Sequence, residues 1–566
     1  MDDFKVFCTN DSQTHEVELG TPLSSLATRY GISLPDGSPI LAALVDHKLK
    51  ELRYRITVSH EVEFIGYSHP DGRRCYIRSL CFVLQKAVRE LFPDKILVIH
   101  HSLPSGLYCE IKEGRPDEDG HHRVWFITDE NLDVLRSRMA EIIEADMPFG
   151  REKMLSDDIE EYFRRQNQYH KAELIDSLGR YITSIYSLGD TKDTFYGPLV
   201  PSTGCLKVFG IVGFGEGFCL QAPTISDPSK VMPLRRQSKI ATALKNHSDF
   251  INTIGIGGVG SLNKAISAGQ AVELINVAEA RHERKYAEIA NQIYERRGQA
   301  RIVFIAGPSS SGKTSSSLRI ALQCKVLGLN PKVIELDNYF LDRESTPKDG
   351  NGDYDFESLY AMDLDFLNMQ LNQLLAGEEI EIPKFDFKQG CRTFVGNRMR
   401  LSDKDILIME GIHALNPEMT TAVDNSRIFR VYASALTSLG LDENNNISTS
   451  DNRLLRRIVR DNRVRGITPE QTIMRWHSVR RGEARNIFPF QENADAVFNS
   501  ALIFELPMLK YYAEPLLRRI APNSPAYTEA VRLLKFLDFI VALQPSEIAA
   551  IPPTSIMREF IGGQTL

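Results

Sequence analysis

The chain has 566 residues, long enough for about four domains at roughly 150 residues each. With 42% apolar and 25% charged residues it can bury sizeable cores, which excludes a collagen-like or wholly disordered chain. A formal net charge of −7 excludes a polyanion binder that works by bulk charge, so any nucleic-acid role needs a local basic patch.

The eight cysteines are scattered and none forms a Cys-x-x-Cys pair, which argues against a zinc ribbon or disulfide frame and for a reducing compartment. The start, "MDDFKVFCTNDS", is acidic and has no apolar stretch of the kind a signal peptide carries. No apolar run approaches the roughly 18 residues of a membrane span. The expectation is a cytoplasmic protein without membrane contact.

Residues 1–66 alternate over short stretches: "HEVEL" and "ITVSHEVEFI" predict strands, "LSSLATRYG" a helix, and "ILAALVDHKLKEL" a further strand region. An α+β unit is expected over 67–225, with a helix in "IRSLCFVLQKAVRELF" and a strand in "LKVFGIVGF". Residues 226–295 predict a helical connector. From 296 to 507, apolar strands "RIVFIAG", "KVIELD", "DILIME" and "RIFRVYA" alternate with helical patterns, predicting a parallel sheet covered on both faces. Residues 508–566 predict a helical extension ending in the tail "IPPTSIMREFIGG". The fold class expected is multidomain, α+β followed by α/β.

The chemistry starts at "GPSSSGKTS". Gly307 to Thr314 fits G-x-x-x-x-G-K-[ST] between a strand and a helix, the context in which backbone N–H groups cradle phosphates. Gly307, Ser309, Ser310, Ser311, Gly312, Lys313, Thr314 and Ser315 are the expected ATP contacts, with Lys313 on the β/γ-phosphates and Thr314 toward Mg²⁺. A second pattern, Gly255-Ile-Gly257-Gly258-Val-Gly260, lacks the strand a dinucleotide site requires and is expected to be a mobile turn.

Two acids end strands on the socket's side. Asp337 closes "KVIELD" and is placed to accept a proton from an attacking alcohol; Glu410 closes "DILIME" and is placed to hold Mg²⁺ directly or through water. In "DNRLLRRIVRDNRVRG", Arg453, Arg456, Arg457 and Arg460 share one helix face, and guanidinium forks suit phosphate oxygens. The same stripe also suits a solvated basic face or an RNA-binding helix.

Six ordered stretches carry a resemblance: "GPSSSGKT", the acid of "LDNYF", "YDFESLYAMDLDFL", "IPKFDFKQGCR", "DILIMEGI" and the arginine run. Together, from about 300 to 505, they resemble the uridine kinase family, relatives of phosphoribulokinase and pantothenate kinase. The resemblance implies a P-loop kinase using ATP and Mg²⁺, with Asp337 as base on a nucleoside 5′-hydroxyl. It further implies Asp355 and Arg453 on the ribose, Phe385 and Arg392 at the substrate, and Arg456, Arg457, Arg460 and Arg465 as a lid over ATP. The chain departs where the family places a tyrosine and a histidine against the pyrimidine: Phe385 and Gly390 stand there, so ring stacking remains and two polar base contacts are lost. An insertion, "SLGLDENNNISTSD", is expected to reshape the pocket mouth.

The front half is similar to the N-terminal half of threonyl-tRNA synthetase, through "ILAALVDHKLKEL", "SLPSGLYCEI" and "ITSIYSLGDTKDTFYGPLVPSTGCLKVF". That resemblance implies a β-grasp TGS domain over 1–66 and an editing-like domain over 67–225. The family's His-x-x-x-His and Cys-x-x-x-His positions are here Arg78, Phe82, Phe195 and Leu199, so no agent of hydrolytic editing is present. A binding or regulatory role, toward RNA or a small ligand, is expected of this half. The leading expectation is an ATP-dependent nucleoside kinase. Its rivals are an RNA- or ribosome-associated ATP switch and a kinase of another small alcohol, such as a sugar phosphate or a pantothenate-like compound.

Overall fold

A computed structural model describes residues 4–103, 106–115, 122–235, 237–348, 350, 352–386 and 389–566. The first three residues, Pro104 and Ser105 of "SLPSGLYCEI", and Phe387 and Lys388 of "IPKFDFKQGCR" lie outside the described residues. Among the described residues no helix is long and apolar enough to cross a membrane.

The first sheet contains β1 (Phe4–Cys8), β2 (Gln13–Val17), β3 (Ala42–Val45), β4 (Lys48–Lys50) and β5 (His60–Ile65), with α1 (Leu23–Arg29) against it. Its order is β2-β1-β5-β3-β4, and the β1–β5 pair is parallel while the other pairs are antiparallel, the arrangement of a β-grasp. All four residues of β3 are buried because its two faces enter different cores: Ala43 and Val45 pack with α1, Ala42 and Leu44 with the next unit.

That unit begins at α2 (Pro70–Leu91), whose first turn is capped by His69 Nδ1 accepting from the Asp71 amide. It continues through β6 (Lys95–Leu103), β7 (Gly106–Glu113), α3 (Asp129–Glu144), β8 (Gly150–Leu155), α4 (Ser156–Arg165), α5 (Tyr169–Ser177), β9 (Ile182–Leu188), β10 (Thr191–Asp193), β11 (Gly210–Phe214) and β12 (Gly217–Gln221). The strands form two antiparallel sheets, β11-β12-β7-β6 and β10-β9-β8. Of the positions expected to stand in for the ligases' editing residues, Phe82 packs on Phe195 with centroids 5.3 Å apart, and Phe82 and Leu199 are buried. His100 meets Glu110 at 2.7 Å, and burial lowers the neighbouring His101 to about 3; among the described residues no further His, Cys, Asp or Glu joins them in a metal-binding cluster.

The helices α6 (Ser238–Thr253), α7 (Val259–Ser267) and α8 (Ala271–Glu295) lead to a third sheet. Within the glycine pattern, Gly255 makes the turn after α6 with φ 75°, whereas Gly257 and Gly260 are packing positions. A Cβ at Gly260 would strike the backbone of Glu173 and Leu174 in α5, and one at Gly257 would strike the His170 ring. The rest of the chain comprises β13 (Ile302–Ala306), α9 (Lys313–Val326), β14 (Asn330–Glu335), α10 (Leu364–Leu375), β15 (Ile380–Glu381), β16 (Lys384–Asp386), β17 (Cys391–Thr393), β18 (Arg398–Met399), β19 (Asp405–Glu410), β20 (Ile428–Ser434), α11 (Thr449–Arg465), α12 (Pro469–Asn486), β21 (Ala496–Asn499), α13 (Glu505–Leu517), α14 (Tyr527–Leu537), α15 (Pro545–Ala549) and α16 (Arg558–Ile561). The sheet runs β14-β19-β13-β20-β21 with every pair parallel, and its inner strands are continuously buried, as helices on both faces require.

The helices before and after this sheet share its core. Ile275 and Ile289 of α8 cluster with Ile305, Ile320, Leu509 and Phe560. The stretch expected to be a tail is interior: Ile556, Met557 and Phe560 are fully buried. The insertion also goes elsewhere than expected. Instead of lining a pocket mouth, residues 442–445 are buried against the editing-like unit. Glu443 accepts from the amides of His170 (2.8 Å) and Lys171 (3.1 Å) in the first turn of α5. Asn444 donates to Leu97 O at 2.9 Å and accepts from Lys171 Nζ at 2.9 Å, and Asn445 donates to Thr194 O at 3.1 Å. An acidic side chain at a helix N-terminus and an amide answering three elements are what draw the loop there.

Candidate functional site

Parallel pairing brings three strand ends to one edge. In register, Glu335 of β14 faces Glu410 of β19, which faces Ile305 of β13, one residue before that strand ends. The glycine-rich loop leaves β13 at this edge, and α9 starts at Lys313 behind Gly312, whose φ of 79° lies in the left-handed region. Ser310 also has a positive φ, 59°. A Cβ at Gly307 would collide with the Ala433 carbonyl of β20, so only glycine lets the loop leave so close to the sheet.

The loop's carbonyls are held from outside. Arg453 Nε donates to Ser309 O at 3.2 Å, Arg456 Nη1 to Ser310 O at 3.4 Å, and Ser500 Oγ to Ser311 O at 2.6 Å. Arg457 Nη1 donates to Ser309 Oγ at 2.8 Å, while Glu483 accepts from the Ser309 amide at 3.0 Å. Carbonyls fixed outward leave the remaining amides for an anion inside the loop. The Ser310 and Ser311 hydroxyls are buried with no partner, a cradle with unspent donors.

Lys313 Nζ rests 3.4 Å from Pro308 O. Thr314 Oγ1 donates to Glu410 Oε1 at 2.7 Å. Burial lifts Glu410 to about 7 against the pull of Lys313, with Asp337 and Glu335 adding repulsion. Asp337 is likewise raised by burial; Lys313 and Arg465 pull it down and Glu335 pushes it up. Lys313, Asp337, Glu410 and Thr314 are therefore one electrostatic group. Hard oxygen donors with excess negative charge fit Mg²⁺, which takes few protein ligands and completes its shell with water and phosphate. Among the described residues no cluster of three or more His, Cys, Asp or Glu forms a closed metal cage.

Several expected neighbours stand apart. Arg453 does not join Asp355: it is fully buried and paired with Glu483, whereas Asp355 meets Arg485 at 3.2 Å. Arg456 does not face the cradle's interior: it is fully buried and bonded through Nε to Glu505 Oε2 at 2.9 Å. The reason is charge. A buried guanidinium must have a carboxylate, and both find one far along the chain. Arg457, Arg460 and Arg465 converge on Asp461 at 3.2, 3.0 and 3.6 Å. Ser315 Oγ donates to Glu559 Oε2 at 2.7 Å, so the C-terminal segment touches the start of α9.

Of the residues expected at the substrate, Arg392 pairs with Asp363 at 2.8 Å and lies 4.6 Å from the Phe366 ring, with Nη1 buried and unbonded. Phe385 packs edge-on to Phe340 at 5.8 Å, and its amide donates to Asn338 Oδ1 at 3.2 Å, next to Asp337. Gly390 has φ 73°, and a Cβ there would strike the Arg343 side chain, which occupies that space. Sequence reasoning passed over Glu357, which burial and the nearby Glu483 raise to about 7, opposed by Arg457 and Lys313. It also missed Glu483 and Glu505, which carry no motif. The Arg457–Asp461 spacing of four on a helix was the one available signal.

The comparisons with known proteins divide the chain. Residues 302–503 match the model of the Phosphoribulokinase / Uridine kinase family. The N-terminal half is similar to threonine–tRNA ligases. That of Aromatoleum aromaticum is 32% identical over 200 residues, covering 35% of this chain and 30% of the ligase. That of Desulforamulus reducens is 31% identical over 209 residues, covering 37% and 31%. The chain thus spans under a third of the length of these relatives. Among solved structures, a "Possible Uridine Kinase" from Bacillus stearothermophilus is 18% identical with a TM-score of 0.25, covering 37% of this chain and 99% of that one. A ligase-like front is joined here to a kinase-family region.

Proposed function

We infer that the protein transfers the γ-phosphoryl group of ATP to the hydroxyl of a small molecule, a nucleoside 5′-hydroxyl being the favoured acceptor. The observation that carries this is the grouping of Lys313, Thr314, Glu410 and Asp337 at one sheet edge. The amides of the loop and Lys313 would hold the β- and γ-phosphates. Thr314 and Glu410 would hold Mg²⁺, which when bound neutralises charge on the phosphate oxygens. Asp337 accepts the proton of the attacking hydroxyl, and its raised affinity for protons suits that task near neutral pH. The nucleoside reading is supported by Phe385 beside Phe340 and by Asp355 and Arg392 on the acceptor side. With Gly390 closed by Arg343 and no polar base contact from Phe385, discrimination among bases is weak.

The test is a coupled ATP-consumption screen over purine and pyrimidine nucleosides, ribulose 5-phosphate and pantothenate. Nucleosides of more than one base should turn over, and Asp337→Asn should bind ATP like the parent while losing on the order of 10²–10⁴ in turnover. Undiminished turnover in that variant removes Asp337 from its role. No turnover of any acceptor, with RNA co-purifying, favours the ATP-switch reading instead.

A further inference from the structure

A second charged hollow lies far from the phosphate loop in sequence, where the β3–β4 hairpin, α2 and α14 meet. It is a cavity of about 30 Å³ lined by Leu49, Arg78, Tyr196, Pro198, Arg532 and Lys535 among others. That exceeds the roughly 10–15 Å³ a single water needs. Its walls are braced. Thr528 Oγ1 donates to His47 O at 2.6 Å, and Lys48 Nζ stands 5.7 Å over the Tyr527 ring, tying α14 to the hairpin. Arg78 Nη1 donates to Pro198 O at 2.6 Å and its guanidinium lies 5.1 Å from the Tyr196 ring. A Cβ at Gly197 would press into that guanidinium, so the glycine is what seats it.

The charges do not balance. Arg74 and Arg532 are answered, by Asp71 at 2.7 Å, Glu529 at 3.1 and 2.6 Å, and Asp451 at 2.6 Å. Arg151 shares Glu51 with Arg53, at 3.5 and 2.8 Å. Among the described residues, Arg78, Lys48, Lys50 and Lys535 have no carboxylate within ion-pair distance. Burial holds the Lys535 ammonium below the usual lysine value, and the further causes are all cations: Lys50, Arg151, Arg78 and Lys48. Lys50 is lowered in the same way, by burial, Lys48 and Arg151. The lining carries Arg74, Arg78, Arg532 and Lys535 against the single carboxylate of Asp71, with Lys48 and Lys50 adding positive field from just outside it, and such a braced hollow is complementary to an oxyanion.

We propose that this junction binds the phosphate group of a small phosphorylated metabolite, with Arg78 and Lys535 donating to its oxygens and Tyr196 beside the group that carries it. At about 30 Å³ the hollow has room for a single compact group and not for a stretch of nucleic-acid backbone. The site stands independently of the kinase reading, and no residue of the phosphate loop belongs to it. Occupancy would tie the β-grasp hairpin and α2 to α14, whose Arg532 holds Asp451 in the first turn of α11.

The test is calorimetric titration of inorganic phosphate and pyrophosphate, at fixed ionic strength, into full-length Lys313→Ala protein, in which the phosphate loop is disabled. Binding should persist, weaken about tenfold on adding Lys535→Gln or Lys50→Gln, and survive Lys535→Arg. Both glutamine changes leave the apolar cores untouched, and an unchanged melting midpoint without phosphate verifies the fold. Heat that vanishes with Lys313→Ala alone, or a Lys535→Gln titration indistinguishable from its parent, overturns the site. Displacement of phosphate by unfractionated tRNA overturns the small-molecule assignment.

Discussion

Arg456 separates a strut from a ligand. Its guanidinium is fully buried, bonds Glu505 through Nε and Nη2, and reaches Ser500 O at 2.9 Å and Ser310 O at 3.4 Å. Arg456→Met leaves Glu505 charged, 2% exposed and without its cation. Stranding one partner of a buried pair costs about 3–5 kcal/mol. For a cooperative unit of roughly 200 residues that is a melting shift on the order of 10 °C. Adding Glu505→Leu removes the stranded charge and should recover at least half of the loss. Recovery stays incomplete because Asn452 Nδ2, which donates to Glu505 Oε1 at 2.5 Å, loses that acceptor and keeps only Thr437 Oγ1 at 3.1 Å. The assay is thermal melting of the single and double variants alongside ATP binding by each. A single variant that melts like the parent but no longer binds ATP would show the guanidinium facing the nucleotide, and a double variant losing the sum of both costs would dissolve the pair.

Two further outcomes follow from the same region. Glu410 takes up protons in the folded state up to about pH 7, above the usual carboxyl value of 4.5, so the folded protein binds more protons than the unfolded one between those values. Stability attributable to this group is full at low pH and declines as pH rises through 7, while Mg²⁺-dependent nucleotide binding strengthens over the same interval; Glu410→Gln should flatten both profiles, read by melting and by titration across the window. Ile556 is fully buried with its side chain against Gly312, and Ile556→Ala should cost about 2–5 kcal/mol and raise amide exchange in the phosphate loop; exchange confined to the C-terminal segment would show that the contact does not support the loop.

The parallel sheet and its loop were legible because their signals are local. An apolar run ending in Gly307, a lysine at a helix start, and acids at the ends of "KVIELD" and "DILIME" need only neighbours in sequence. The arginine helix shows where this stops. Its periodicity put Arg453, Arg456, Arg457 and Arg460 on one face; the first three bond the loop, but what Arg453 and Arg456 do there depends on Glu483 and Glu505, 30 and 49 positions away from their partners. A stripe of arginines looks the same whether it awaits a phosphate or is already neutralised. The tail failed for a similar reason: "IPPTSIMREFIGG" is short and proline-rich, yet Ile556 and Phe560 close the core beside α9. The packing of Gly257 and Gly260 against α5 could not be seen without knowing that α5 and α7 touch.

How the insertion meets the front half bears on why two units of such different resemblance share one chain. An apolar patch would hold the halves together with little demand on register, since burial is not directional. The contact made by residues 442–445 is polar and enclosed. Lys171 is fully buried between Asp193 and Asp442, Asn444 answers Leu97, Gln168 and Lys171, and Glu443 caps α5. Lys171, Asn444 and Glu443 find these partners in one placement and lose them in any other, so the contact adds little net attraction but excludes alternative dockings. The loop that makes it runs directly into α11, whose Arg453 and Arg456 brace the phosphate loop. One helix therefore joins the contact with the front half to the carbonyls that shape the cradle.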